Sequence, residues 1–357
     1  MALAAVRLRR PVPKPPTDDL VAREVGLQKL LSTRICDLTL KVEDVLFESL
    51  AQVTSELRAR RISFIPAYYL GDDDFWTADR ATSVNMPWYL ANALLWQLVN
   101  DHLNEYSREE VLMYLRHETG HAINYAFELW KRPDWAETFG DFRRPYRDVY
   151  APNPWSRDYV RHLHRAGMYH YAQKHPDEDF AETFAVWLDP SSRWRRRYKD
   201  WQVASAKLEY LERIIEVEGV CRGTPPNQRP GQRVGYETIK ETVADYFDIT
   251  HAVDPDLAEY RRDLMDIFPR RSTRSRGSAL SAARFIQQNQ RMLVDKISAW
   301  IGNSDRRVIG KFLRQLQALS TYEHLVVPET QRNDKLVDVT IVATWHVLDG
   351  IHRLSGE

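Results

Sequence analysis

Cysteine is scarce in this chain. Only Cys36 and Cys221 occur among 357 residues, and they lie far apart. Two distant cysteines make neither a disulfide framework nor a cysteine-based zinc site, and they suit a reducing cytoplasm. Net charge is also lacking, because 50 Lys and Arg balance 50 Asp and Glu. No bulk attraction to nucleic acid or to an acidic membrane is therefore expected. No stretch approaches the roughly 18 consecutive apolar residues that a membrane span needs. Internal repeats and long low-complexity segments are absent as well. The N-terminus, MALAAVRLRRPVPKPPTDDL, places its short apolar part before the arginines. That order is wrong for a signal peptide and the apolar part too short, so residues 1–18 are expected to be a disordered leader.

What is present begins with a composition that is 43% hydrophobic. This suffices for a sizeable core and predicts two domains, or one large domain with an extension. The most informative stretch is His117-Glu118-Thr119-Gly120-His121. On a helix, positions i and i+4 share a face, so both imidazoles can point at one metal ion. Glu118 lies one position on, where it can act on a water that the metal activates. By chance alone, an H-E-x-x-H is expected in roughly 2% of chains with this usage, so the context has to carry the pattern. Ser107 and Glu110 form an S-x-x-E capping box ahead of it. Val111, Leu112, Leu115, Ile123, Phe127 and Trp130 then recur at roughly helical spacing.

Ahead of that helix, Leu38–Arg60 carries an amphipathic stripe that includes Leu46, Leu50, Val53 and Leu57, and a shorter helix is expected over Asp19–Leu31. Ile62–Leu70 and Ala81–Leu90 are rich in β-formers and predict strands, separated by the acidic turn Gly71–Asp74. Pro87 suits an edge strand, which would be open to an extended peptide or else covered. Asn92–Leu103 predicts a helix. Lys131–Trp155 is a long irregular connection that could shape a cleft, and Ser156–Ala166 is expected to be helical.

Residues 168–188, MYHYAQKHPDEDFAETFAVWL, form the second informative stretch. Pro176 suits the first turn of a helix, and Asp177, Glu178 and Asp179 suit its positive end. Glu178 and Glu182 are four apart and set among Phe180, Ala181, Phe184, Ala185 and Leu188. A hydrolytic zinc takes three protein ligands and leaves room for water. A carboxylate from this pair is the best candidate for the third, and spacing alone does not choose between them. Tyr169, His170, Tyr171 and His175 are nearby donors for a developing oxyanion.

HETGH followed by E-D-F-A-E-T-F resembles the gluzincin metallopeptidases, whose third ligand is a glutamate. The likeness is closer to the branch of the anthrax lethal factor and the Pro-Pro endopeptidases. That branch has H-E-x-G-H, then E-x-F-A-E-x-F, with a tyrosine seven residues before the first glutamate. Here those positions are His117, Glu118, Gly120 and His121, then Glu178, Phe180, Ala181, Glu182 and Phe184, and the tyrosine falls on Tyr171. The chain is also similar to poorly characterised bacterial zinc-binding metallopeptidases with a comparable E-D-F-A-E block. The resemblance implies one Zn2+ held by His117, His121 and Glu178. It further implies Glu182 as support for a ligand histidine and Tyr171 as the oxyanion donor. Beside it, Glu118 is expected as the base from its place in the motif, and the neighbouring His175 is a competitor of Tyr171 that the resemblance does not supply. The resemblance covers roughly residues 60–215. The insert between His121 and Glu178 does not align, so no substrate preference carries over.

The resulting expectation is an α+β fold: a zincin-like domain with a small twisted sheet, the H-E-x-x-H helix and a second ligand helix. That domain spans 19–221. A Pro/Gly-rich linker at 222–235 and a mainly helical C-terminal extension at 236–357 follow. The expected activity is zinc-dependent peptide-bond hydrolysis in the cytoplasm on protein or peptide substrates, with neither nucleic acid nor membrane as partner. The alternative is a silent or single-partner interaction module on the same scaffold. The basic block Arg193–Lys199 is read as a solvated connection, and His251, His324, His346 and His352 as structural histidines.

Overall fold

A computed structural model describes residues 26, 28–72, 74–103, 106–147, 150–163, 170–247, 258–270, 280–301 and 306–355. The expected leader at 1–18 lies outside them, as does most of the helix expected at 19–31. The elements in order are α1 (Asp44–Ala59), β1 (Ala67–Leu70), β2 (Ser83–Met86), α2 (Ala93–Leu103), α3 (Arg108–Ala126), α4 (Pro133–Phe139), α5 (Pro176–Leu188) and α6 (Gln202–Leu211). After them come α7 (Ala258–Ile267), β3 (Leu280–Ser281), α8 (Ala282–Trp300), α9 (Arg306–Tyr322), β4 (Val326–Val327) and α10 (Arg332–Ser355). The fold is α-rich with very small sheets, which agrees with α+β at the coarse level. No helix among the described residues is long and apolar enough to cross a membrane.

α3 is the central element. Its capping box forms as expected: Ser107 Oγ accepts from the Glu110 amide at 3.2 Å, and Glu110 Oε2 accepts from the Ser107 amide at 2.9 Å. Every residue from Met113 to Ala126 is buried, so this is a core helix rather than a surface one. Arg116 fixes its rotation. The guanidinium pairs with Glu56 of α1, with Nε at 2.9 Å, and with Asp189 just past α5 at 3.1 Å. Removing one member would strand a buried charge, at a cost of about 3–5 kcal/mol.

α5 crosses α3 at Gly120. A Cβ there would lie 3.1 Å from Ala181 Cα and 3.2 Å from Phe184 Cβ, both rigid neighbours. The glycine of HETGH is thus explained by close helix approach. In Gly120→Ala, overpacking costs about 1–3 kcal/mol and better helix propensity returns about 1 kcal/mol. We expect a net loss of about 1 kcal/mol, read as a lower urea midpoint. A midpoint equal to or above the native one would mean that the two helices part freely.

β1 and β2 are parallel, in the register Ala67↔Ser83 to Leu70↔Met86. The edge expected at Ala81–Leu90 is not open. All four residues of β2 are buried. The Asn85 amide donates to the Trp76 carbonyl at 2.8 Å, and the Thr82 amide donates to the Arg229 carbonyl at 2.9 Å. The Thr82 and Ser83 hydroxyls donate to the carbonyls of Arg229 and Pro230, and Asn85 Nδ2 donates to Asp72 Oδ1 and to the Asp74 carbonyl. Asp72 and Asp74 of the acidic turn are exposed but hydrogen-bonded: Asp72 accepts from the Trp76 indole at 2.8 Å, and Asp74 accepts from the Tyr106 hydroxyl.

Other expectations shift locally. The described part of 156–166 is not helical, whereas Pro133–Phe139, inside the expected irregular connection, is. In the basic block, Trp194 and Tyr198 are buried while Arg195, Arg196 and Arg197 stay exposed. His346 is a buried structural histidine bonded to Asp263 at 2.6 Å.

Two hydrophobic cores are present. The first runs from Leu31 to Phe247 and the second from Leu264 to Val347. The stretch 222–235 is therefore not a free linker. The Asn227 amide donates to the Ala126 carbonyl at 3.1 Å, and residues beyond it return to the N-terminal part, with the Ile35 amide on the Glu241 carbonyl at 2.9 Å. Val243 and Phe247 are buried in the first core, so that core extends past the expected boundary. Pro and Gly here prevent regular structure but not packing. The helical C-terminal half forms the second core from α7–α10 and the antiparallel pair β3/β4.

Candidate metal centre

α3 and α5 bring three ligand-type atoms together. His117 Nε2 and His121 Nε2 are 3.2 Å apart. Glu178 Oε2 lies 3.0 Å from the first and 3.2 Å from the second. Tetrahedral zinc, with ligands at ~2.0–2.2 Å, sets neighbouring ligand atoms about 3.3 Å apart. The three atoms thus outline one face of such a polyhedron, and the donor set fits a metal ion. Among the described residues, this buried trio is the group of His, Cys, Asp and Glu side chains that could hold one.

Each histidine is also held from behind. His117 Nδ1 lies 3.0 Å from Glu182 Oε1, and His121 Nδ1 lies 2.9 Å from Asp177 Oδ2. A carboxylate on the far nitrogen fixes the tautomer and presents Nε2 to the metal. Glu182 is anchored in turn by the amides of His162 and Leu163, at 2.7 and 3.1 Å. Asp177 accepts from Asn124 Nδ2 at 2.9 Å and from the Tyr125 hydroxyl. The two glutamates therefore differ in place: Glu178 faces both Nε2 atoms, and Glu182 faces only the back of His117.

Burial opposes charge on His117, but Glu178 and Glu182 outweigh it and raise its ring to about 9. His121 is likewise raised well above the ordinary value, against its burial, by Asp177 and Glu178. Burial works against the Glu178 carboxylate too, yet the two histidines hold it well below the usual range. These shifts follow from three carboxylates, Asp177, Glu178 and Glu182, packed against two imidazoles in one buried site. Burial raises the Glu118 carboxyl, with the histidines opposing. By contrast, burial pushes the neighbouring His162 down to about 4, so that ring is neutral and its Nε2 donates to the Met113 carbonyl at 2.9 Å.

The site opens into a cleft of about 700 Å3 whose described lining runs from Asp74 to Glu178. The C-terminal helices contribute nothing to that lining. Glu118 faces this cleft, and its carbonyl accepts from Thr77 Oγ1 at 3.1 Å. The irregular chain after α4 supplies Phe142, Arg143, Arg144 and Tyr146, as its length suggested.

The expected site residues His117, Glu118, His121, Tyr171 and Glu178 all line the cleft, with Glu182 behind it. Tyr171 sits in a single turn, Tyr171–Gln173, with its ring centre 5.8 Å from that of His117. His175 is otherwise engaged. Its Nδ1 caps α5 by accepting from the Asp177 amide at 3.1 Å, and its Nε2 donates to the Arg144 carbonyl at 2.8 Å. Neither nitrogen is left for an oxyanion.

Sequence reasoning missed two participants. Asp177 looked like a helix-dipole acid, because no spacing rule reveals that His121, Asn124 and Tyr125 of another helix converge on it. Tyr146 donates to Glu178 Oε1 at 2.5 Å and comes from the insert that aligns with nothing. We expect Asp177→Asn and Glu182→Gln each to weaken zinc binding about 10–100-fold, measured by competition with a chromophoric chelator. Native affinity in both would remove the carboxylate–histidine support from the site.

Comparison of the chain with known protein families, with curated proteins and with solved structures finds no match.

Proposed function

We propose that the chain is a zinc-dependent peptidase of gluzincin type on a zincin-like scaffold. One observation carries this: three buried protein donors converge on a single point that opens into a cleft, and a fourth residue, Glu118, lines the same cleft. Structural zinc sites are closed by four protein ligands, whereas hydrolytic ones keep a position for water.

Bound zinc supplies Lewis acidity at that point, polarising a carbonyl and lowering the pKa of a water to about 7. The residues do the rest. His117, His121 and Glu178 hold the ion, while Glu182 and Asp177 orient the two imidazoles. Glu118 takes the proton of the attacking water and passes it to the leaving amine nitrogen. Its burial, which raises its proton affinity, suits a base that must also act as an acid. Tyr171 donates its hydroxyl to the carbonyl oxygen as negative charge develops there. The extended segment through Trp76 and Thr77 forms a cleft wall against which a peptide can lie.

The test is metal analysis followed by digestion of a diverse peptide library. We expect one zinc per chain and cleavage of a subset of peptides. A native protein that holds no zinc after reconstitution would end this proposal. Zinc binding with no cleavage of any peptide would instead favour an interaction module on the same scaffold.

A further inference from the structure

Among the described residues of the cleft loop, Tyr146 donates a hydrogen bond to the candidate ligand set. Glu178 splits its two oxygens between separate tasks. Oε2 faces both histidine Nε2 atoms, and Oε1 accepts from the Tyr146 hydroxyl at 2.5 Å. Among the described residues, Tyr146 is the hydrogen-bond donor to Oε1. A carboxylate with Oε1 free can rotate and offer both oxygens to a metal, taking the position that water needs. From this geometry we infer that Tyr146 is a positioning residue that keeps Glu178 a one-oxygen ligand and so keeps the fourth coordination position open. This inference rests on the metal-centre proposal above and goes beyond it.

The surroundings hold the phenol in place. The Lys174 ammonium sits 4.3 Å from the centre of the Tyr146 ring and 5.2 Å from that of Tyr171. The His175 ring packs against Tyr146 at 5.3 Å. Tyr146 is nevertheless half exposed and lies on non-helical chain. The hydroxyls of Tyr146 and Tyr171 are 3.3 Å apart. A phenol has one proton to donate. With that of Tyr146 spent on Glu178, the hydrogen bond between the two must be donated by Tyr171. The Tyr171 proton is thereby held until a substrate carbonyl competes for it.

The experiment uses the full chain, loaded first with zinc and then with cobalt(II), in native, Tyr146→Phe and Tyr171→Phe forms. Phenylalanine keeps the ring and its packing, and matched thermal melts check the fold. We expect Tyr146→Phe to weaken zinc about tenfold or more, as loss of a hydrogen bond to a ligand does. Its cobalt absorption should also differ from native in position and intensity, as expected when a second carboxylate oxygen replaces the water among the donors. Tyr171→Phe should keep the native affinity and spectrum. If Tyr146→Phe binds zinc as tightly as native and gives the native cobalt spectrum, the inference falls while the metal-centre proposal stands. A native protein that binds neither metal overturns both, and that shows before any variant is made.

Discussion

Glu118→Gln keeps its zinc and loses peptide cleavage by about 10^2–10^4-fold in kcat/KM, the range that a positioned general base contributes. Glutamine preserves the size and burial of the side chain, and Glu118 is not among the three converging donors, so the metal should stay. What goes is the proton acceptor. The comparison is made on peptides that the native protein cleaves, with zinc measured in the same samples. A variant that keeps both zinc and activity would mean that another group moves the proton. A variant that loses zinc would place Glu118 among the ligands.

The second large effect concerns the third donor. Glu178→Ala removes one apex of the triangle and leaves only two imidazoles facing the ion. If three donors share a binding free energy on the order of 10 kcal/mol, losing one costs a factor of about 10^2–10^3 in zinc affinity. Glu182→Ala keeps all three donors and loses only the support of His117 Nδ1. It should weaken zinc less, by about 10–100-fold. The ordering is what matters: chelator competition that finds Glu182→Ala the worse of the two would exchange their roles. The backbone amides of His162 and Leu163 point at Glu182, so its replacement also strands buried donors. Thermal melts separate that destabilisation from a direct effect on the metal.

The central helices were readable because their signals are local. The capping box at Ser107 and Glu110, the proline at 176 and the three acids after it act within one turn of chain, and the helices start where those residues place them. The C-terminal helices were readable for the same reason, through apolar periodicity. Errors arose where the partner of a residue is distant in sequence. Whether the edge at Ala81–Leu90 is open or covered is undecided until residues 72–76 and 229–230 are folded onto Thr82, Ser83 and Asn85. The Pro/Gly-rich stretch 222–235 read as a linker, since composition reports a lack of helix and strand and is silent about what the backbone touches.

The site divides in the same way. Local sequence determined that His117 and His121 share a helix face, that Glu118 stands beside them, and that two glutamates repeat on a second helix. Which glutamate turns towards the Nε2 atoms was decided by how α5 crosses α3 at Gly120, a contact between residues about 60 apart in the chain. The same crossing makes Asp177 a partner of His121, and the loop after α4 brings Tyr146 to Glu178. Periodicity, caps and motif spacing act over a few residues and are written in the sequence. The direction in which a side chain meets a distant partner depends on the packing of whole helices, and only the tertiary structure fixes that.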